Sequence, residues 1–198
     1  MSVIIIVSEC IYNQFCKPGC RVREDKVLEE VKMCLANYPC ILILKCIEEE
    51  IFGIFRFNVT RKMLEKNKFF TKKCEDLAKE IADRVESYCD AFKIKGEEEI
   101  SKVIIIGVEG SPTCGISRYL DSMNGKPDYG RPKTEKSKKW RTSPEGCGIL
   151  IESLKKELER RKINFETIGV GNPEETREKL TLLKDEYGSQ CASHKNKE

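Results

Sequence analysis

Histidine is almost missing from this chain: the one copy, His194, stands in the C-terminal tail. A cysteine nucleophile needs a nearby base, most often histidine, so the shortage argues against that chemistry. Charge of one sign is missing too. With 36 basic and 33 acidic residues, the net charge of +3 creates no global field that would draw the chain to nucleic acid or a membrane surface. Long apolar runs are absent as well. Met1 to Val7 is apolar, but it has no basic leader or small-residue cleavage site and is too short for a signal segment. No other stretch approaches the length of a membrane span. The expectation is a soluble, cytoplasmic protein with no membrane partner. Neither the P-loop pattern nor the dinucleotide-binding glycine pattern occurs, so the glycines carry no nucleotide fingerprint.

Cysteine, by contrast, is plentiful, with 11 in 198 residues. An odd number without a secretory leader reads as free thiols in a reducing compartment rather than a disulfide framework. Their setting is an alternation of apolar runs and amphipathic patterns. "VIIIV" (Val3 to Val7), "CILIL" (Cys40 to Leu44), "VIIIG" (Val103 to Gly107) and "FETIGV" (Phe165 to Val170) are short and β-branched, as strands buried on both faces should be. Between them, Val27, Leu28, Val31, Cys34 and Leu35 share one helical face, and Cys74, Leu77, Ala78, Ile81, Val85, Tyr88, Cys89 and Phe92 a longer one. A third helix is predicted to open at Ser143 with Pro144 at its first position and to run through Cys147, Leu150, Ile151, Leu154 and Leu158. Asn172 caps a fourth, with Pro173 first and Glu175 closing a capping box.

This order predicts an α/β fold: a single Rossmann-like domain with a mostly parallel sheet and helices on both faces. The domain spans 1–188, with a polar insertion at 118–141 and a disordered tail at 189–198. The stretch from Glu48 to Lys68 reads as an irregular connection with a cluster of phenylalanines.

The pattern sorts the thiols. Cys34, Cys74 and Cys89 sit on apolar helix faces, where cysteine behaves as a small hydrophobe, and Cys147 fits an apolar stripe. Cys40 enters a strand and Cys191 belongs to the tail. Cys10, Cys46 and Cys114 each follow the carboxyl end of a predicted strand, with Cys16 and Cys20 as rivals. In an open parallel sheet those ends line one edge, and ligands bind in the crevice outside it. Convergent thiols without histidine suit an iron-sulfur cluster or zinc. Structural zinc would draw its fourth ligand from Cys16 or Cys20, whereas three thiolates on a four-iron cluster leave one iron open. The residues alone leave both readings standing.

"GSPTCG" (Gly110 to Gly115), "VSECIYNQ" (Val7 to Gln14) and "CIE" (Cys46 to Glu48) together resemble the 2-thiouracil desulfidase family and a related desulfidase branch. That pattern has a cysteine after the first strand, Cys-Pro-Glu at the second and Ser-Pro-Ser/Thr-Cys-Gly at the third. "IFGIFRFNVTRKMLE" (Ile51 to Glu65) resembles a further block of the branch. Ile47 and Asn58 stand where the family has proline, and Phe57 where it has tryptophan. The resemblance implies a 4Fe-4S cluster on Cys10, Cys46 and Cys114, whose open iron takes the sulfur of a thiocarbonyl while water replaces it on the base. It also implies that Glu48 handles protons or activates water and that Ser111 orients the substrate or helps the proton move. Asn13 and Arg56 lie inside matched blocks and are the candidates for substrate contact.

The expected activity is desulfidation of a thiolated uracil compound, 4-thio-UMP or a thiouracil, from C=S to C=O with release of sulfide. The basic excess of the insertion would hold a phosphate or touch RNA, or else is a solvated loop. Two other readings compete. One is a cluster-based sulfur donor to RNA; the other is a non-enzymatic iron-sulfur or zinc module that senses redox state or holds a fold together.

Overall fold

The computed structural model describes residues 2–17, 26–54, 59–95, 100–119 and 145–187. Four strands, β1 (Ser2–Ser8), β2 (Ile41–Leu44), β3 (Ile100–Val108) and β4 (Phe165–Val170), form one all-parallel sheet in the order β2-β1-β3-β4. The predicted α/β, Rossmann-like architecture is what the chain adopts.

Side-chain alternation on the two central strands explains the layers. Ile4 and Ile6 of β1, with Val103 and Ile105 of β3, enter one core. Val3, Ile5 and Val7, with Ile104 and Ile106, enter the other. Burial on both faces requires that every position be apolar, and each fully buried isoleucine contributes about 1.5–3 kcal/mol. Helices α5 (Lys68–Lys95) and α6 (Ile149–Arg160) close the first core, and α2 (Lys26–Leu35) and α7 (Pro173–Tyr187) close the second.

Several sequence expectations need adjustment. β2 lies at the sheet edge and leaves Ile43 46% exposed, so it is not buried on both faces. The stretch expected to be irregular holds two short helices, α3 (Ile47–Phe52) and α4 (Arg61–Glu65). Both are too brief to show a 3.6-residue period. Thr60 Oγ1 accepts from Met63 N at 3.3 Å to cap α4, and Phe52 at the end of α3 stacks on Phe70 with centroids 5.9 Å apart.

Helix α6 begins at Ile149, later than Ser143, which lies with Pro144 outside the described residues. Its start is set from elsewhere in the chain: Ile149 N and Leu150 N donate to the carbonyls of Pro112 and Thr113 at 3.0 and 3.1 Å. These bonds occupy donors that a helix start leaves unsatisfied. Cys147 therefore precedes the helix, and its thiol, half-buried, donates to Ile116 O at 3.0 Å. At α7, Asn172 Oδ1 accepts from Glu174 N at 3.1 Å, and Asn172 Nδ2 donates to Glu175 Oε1 at 3.0 Å. Glu175 thus closes on the cap's side chain rather than on its backbone.

Among the described residues no helix is long and apolar enough to cross a membrane. Residues 120–144, which include all of the insertion but Arg118 and Tyr119, and the tail from 188 on lie outside the described residues. The insertion leaves and returns at one place, since Arg118 pairs with Glu145 in an antiparallel bridge and Gly146 N donates to Ser117 O at 2.9 Å. A groove of about 310 Å³ opens at the amino end of β3, lined by Cys89, Lys102 and Arg161 among others; none of the strand-end cysteines belongs to it.

Candidate functional site

Three strand ends deliver the site. β1 ends at Ser8 and runs into α1 (Glu9–Tyr12), which carries Cys10; one turn of 3-10 helix, Gln14–Cys16, follows. β2 ends at Leu44, and Cys46 is the N-cap of α3, with Glu48 and Glu49 in its first turn. β3 ends at Val108, and the chain folds back so that Val108 N donates to Cys114 O at 3.1 Å.

The fold-back depends on two glycines for different reasons. Gly110 adopts φ 77°, a region L side chains rarely enter. A Cβ on Gly107 would stand 2.3 Å from Cys114 O, against backbone that cannot swing aside. At Gly107 the close approach is to the loop's own backbone. Gly107→Ala is expected to cost about 1–3 kcal/mol, the usual range for overpacking. Urea denaturation checks this, and an unchanged midpoint would refute the tight fold-back.

The thiols form a chain across the edge. Cys16 lies close enough to Cys10 and Cys46 for both side chains to act on its thiol, and the Cys46 thiol donates to Cys16 O at 3.8 Å. Its Sγ, the Cys46 Sγ and a Glu49 carboxylate oxygen all lie within 4.8 Å of one another. Cys46 in turn is near enough to Cys114 to act on its charge. Cys10, Cys46 and Cys114 therefore share one edge with Cys16 buried among them, while the rival Cys20 lies outside the described residues.

At Cys16 and Cys114 the surroundings favour the neutral thiol. The neighbouring Cys10 side chain, partly offset by Cys46 and added to by burial, pushes Cys16 up to about 12. Burial pushes the Cys114 thiol well above the ordinary range, opposed by the Ser8 hydroxyl beside it and reinforced by Cys46, Glu48 and Cys74. Ser8 Oγ is buried and makes no hydrogen bond of ordinary geometry, although it lies against the Cys114 sulfur. A thiolate at Cys114 would give this orphaned hydroxyl an acceptor, and a bound cation is what converts such a buried thiol to thiolate. The donor set and the Ser8 hydroxyl thus fit a soft metal centre.

Environment separates the three consecutive glutamates. Glu48 is 7% exposed, and its Oε1 accepts from Thr113 Oγ1 at 2.6 Å. Glu49 faces the thiols. Glu50 is exposed and pairs with Lys73 at 2.7 Å. The buried one is the glutamate that the resemblance implies.

Ser111 Oγ accepts from Cys114 N at 3.0 Å and from Thr113 N at 3.3 Å, so it shapes the loop that carries the thiol. Asn13 Oδ1 accepts from Phe15 N at 3.1 Å and Asn13 O accepts from the Cys16 thiol at 2.8 Å. Its visible work is to hold Cys16. Arg56 lies outside the described residues.

Three contributors escape sequence reasoning. Glu9 accepts from Cys46 N at 2.8 Å and so ties the Cys10 segment to the Cys46 segment. Thr113 holds Glu48 from 65 residues away. Ser8 backs Cys114. All three lie inside or beside the matched blocks, but each contact joins separate strand ends, which no spacing along the sequence reveals. Comparison with protein-family models, curated proteins and solved structures found no match.

Proposed function

We propose that the chain is a desulfidase that converts the C=S of a thiolated uracil compound to C=O. The observation that supports it best is Glu48: a carboxylate buried beside strand-end thiols and held by Thr113 of the "GSPTCG" loop. A solvated charge run would not bury one of its members against a cysteine loop. Cys10, Cys46 and Cys114 would hold a 4Fe-4S cluster, with Ser8 donating to the Cys114 thiolate. When bound, that cluster supplies a soft Lewis acid for sulfur.

The chain's own groups supply the rest. Glu48 takes a proton from the water that adds at the thiocarbonyl carbon and returns it as the carbon-sulfur bond breaks. The balance is C=S plus water giving C=O plus hydrogen sulfide, with no net oxidation. Thr113 fixes one Glu48 oxygen and thereby the direction of attack. Ser111, through its two backbone bonds, keeps the Cys114 loop in register with Glu48.

Anaerobic reconstitution followed by incubation with 4-thio-UMP, 4-thiouracil and 2-thiouracil tests the reading. Loss of the thiocarbonyl absorbance with appearance of sulfide is expected for at least one of them. Full iron uptake with all three absorbances unchanged would leave a metal module without this activity.

A further inference from the structure

Cys16 has no part in the proposed ligand trio, yet it lies deeper than Cys10 or Cys46 and within reach of both. Its thiol, the Cys46 thiol and a Glu49 oxygen lie within 4.8 Å of one another. Helix geometry accounts for two of the three. Cys46 is the N-cap of α3 and Glu49 is three residues on, so both project from one side of the first turn. A glutamate there ordinarily reaches back to the N-cap N–H in a capping box. Here Glu9 already accepts the Cys46 N–H at 2.8 Å, and the Glu49 carboxylate stands beside the sulfurs instead. The third ligand is delivered by the 3-10 turn, which Asn13 caps and whose Cys16 thiol it anchors.

Two sulfurs and a carboxylate oxygen make a borderline-soft donor set suited to zinc. With zinc-sulfur bonds of about 2.3 Å, tetrahedral ligand atoms lie about 3.8 Å apart, within about an ångström of the present upper bound of 4.8 Å. We propose that Cys16, Cys46 and Glu49 form a mononuclear site for a thiophilic divalent cation, zinc above all, distinct from the cluster ligand set and sharing only Cys46 with it. Sharing makes the two occupancies exclusive: zinc held here removes Cys46 from the cluster and blocks its assembly. The exclusion rests on the desulfidase reading, whereas the zinc site itself does not.

The experiment titrates zinc, and cobalt as its spectroscopic stand-in, into the reduced, cluster-free full-length chain. Native protein is expected to bind zinc stoichiometrically and to show sulfur-to-cobalt charge-transfer bands. Loss of an outer partner of a metal ligand costs about 10- to 100-fold in affinity, so losing a ligand should cost more than the upper end of that range. Cys16→Ser and Glu49→Gln should both show this loss, Cys16→Ser with weaker charge transfer, whereas Cys114→Ser should bind like the native chain. Equal zinc affinity in native, Cys16→Ser and Glu49→Gln proteins, or no binding at all, would overturn the site. Zinc-loaded native protein should then take up much less iron on reconstitution, and Cys16→Ser treated alike should take up its normal amount. Undiminished iron uptake by the zinc-loaded native chain would overturn the exclusion. Iron uptake by no form, with zinc binding intact, would sink the desulfidase reading and leave the zinc site standing.

Discussion

Replacing Cys114 with serine is expected to strip most of the iron that the native chain takes up anaerobically with iron and sulfide, from about four per chain to far fewer. The size of the effect follows from how this proposed ligand is held. Its carbonyl accepts from Val108 N, its N–H donates to Ser111 Oγ, and its sulfur lies against Ser8. Cys34→Ser is the matched control, because Cys34 is also buried but packs in the core on the other face of the sheet. Iron lost from Cys114→Ser and kept by Cys34→Ser would identify a ligand. Equal loss from both would mean that any small change in a core disturbs uptake, and iron retained by Cys114→Ser would remove this thiol from the ligand set.

Much of the framework for that experiment is legible in the sequence, for identifiable reasons. A strand buried on both faces must be apolar at every position, so Ile4, Ile5 and Ile6 announce β1 without ambiguity. Parallel order then sends Cys10, Cys46 and Cys114 to one edge, since each follows a strand's carboxyl end. What the sequence hides is contact across that edge. Nothing in "SEC" says that Glu9 will accept the Cys46 N–H, and nothing in the spacing of Cys16 says that it will lie between Cys10 and Cys46. Short helices are hidden for a related reason: α3 and α4 are too brief for periodicity, and α6 takes its start from carbonyls in the Pro112–Thr113 loop. Three adjacent glutamates look alike in a row of letters, but one turn of helix sends them to a buried hydroxyl, a pair of thiols and a surface lysine.

That divergence makes Glu48 the sharper test of chemistry as opposed to metal binding. Glu48→Gln keeps the shape and an oxygen that can still accept from Thr113 Oγ1, so the fold and the iron content are expected to match the native protein. It loses the ability to take a proton. General acid-base groups contribute about 10²- to 10⁴-fold to rate, and desulfidation should fall by a factor in that range. Thr113→Val removes the hydroxyl but leaves the carboxylate, which would be free to turn; it should give a smaller loss, with iron again unchanged. Glu50→Gln, at the exposed glutamate paired with Lys73, should retain full activity. Measured together as sulfide released per iron, the three variants separate the possible causes. Equal activity in native and Glu48→Gln protein would deny the carboxylate any part in proton transfer. A parallel loss of iron and activity in Glu48→Gln would instead make its burial a matter of holding the site together. Loss of turnover at full iron, graded from Glu48→Gln through Thr113→Val to Glu50→Gln, is the pattern that only an oriented buried base produces.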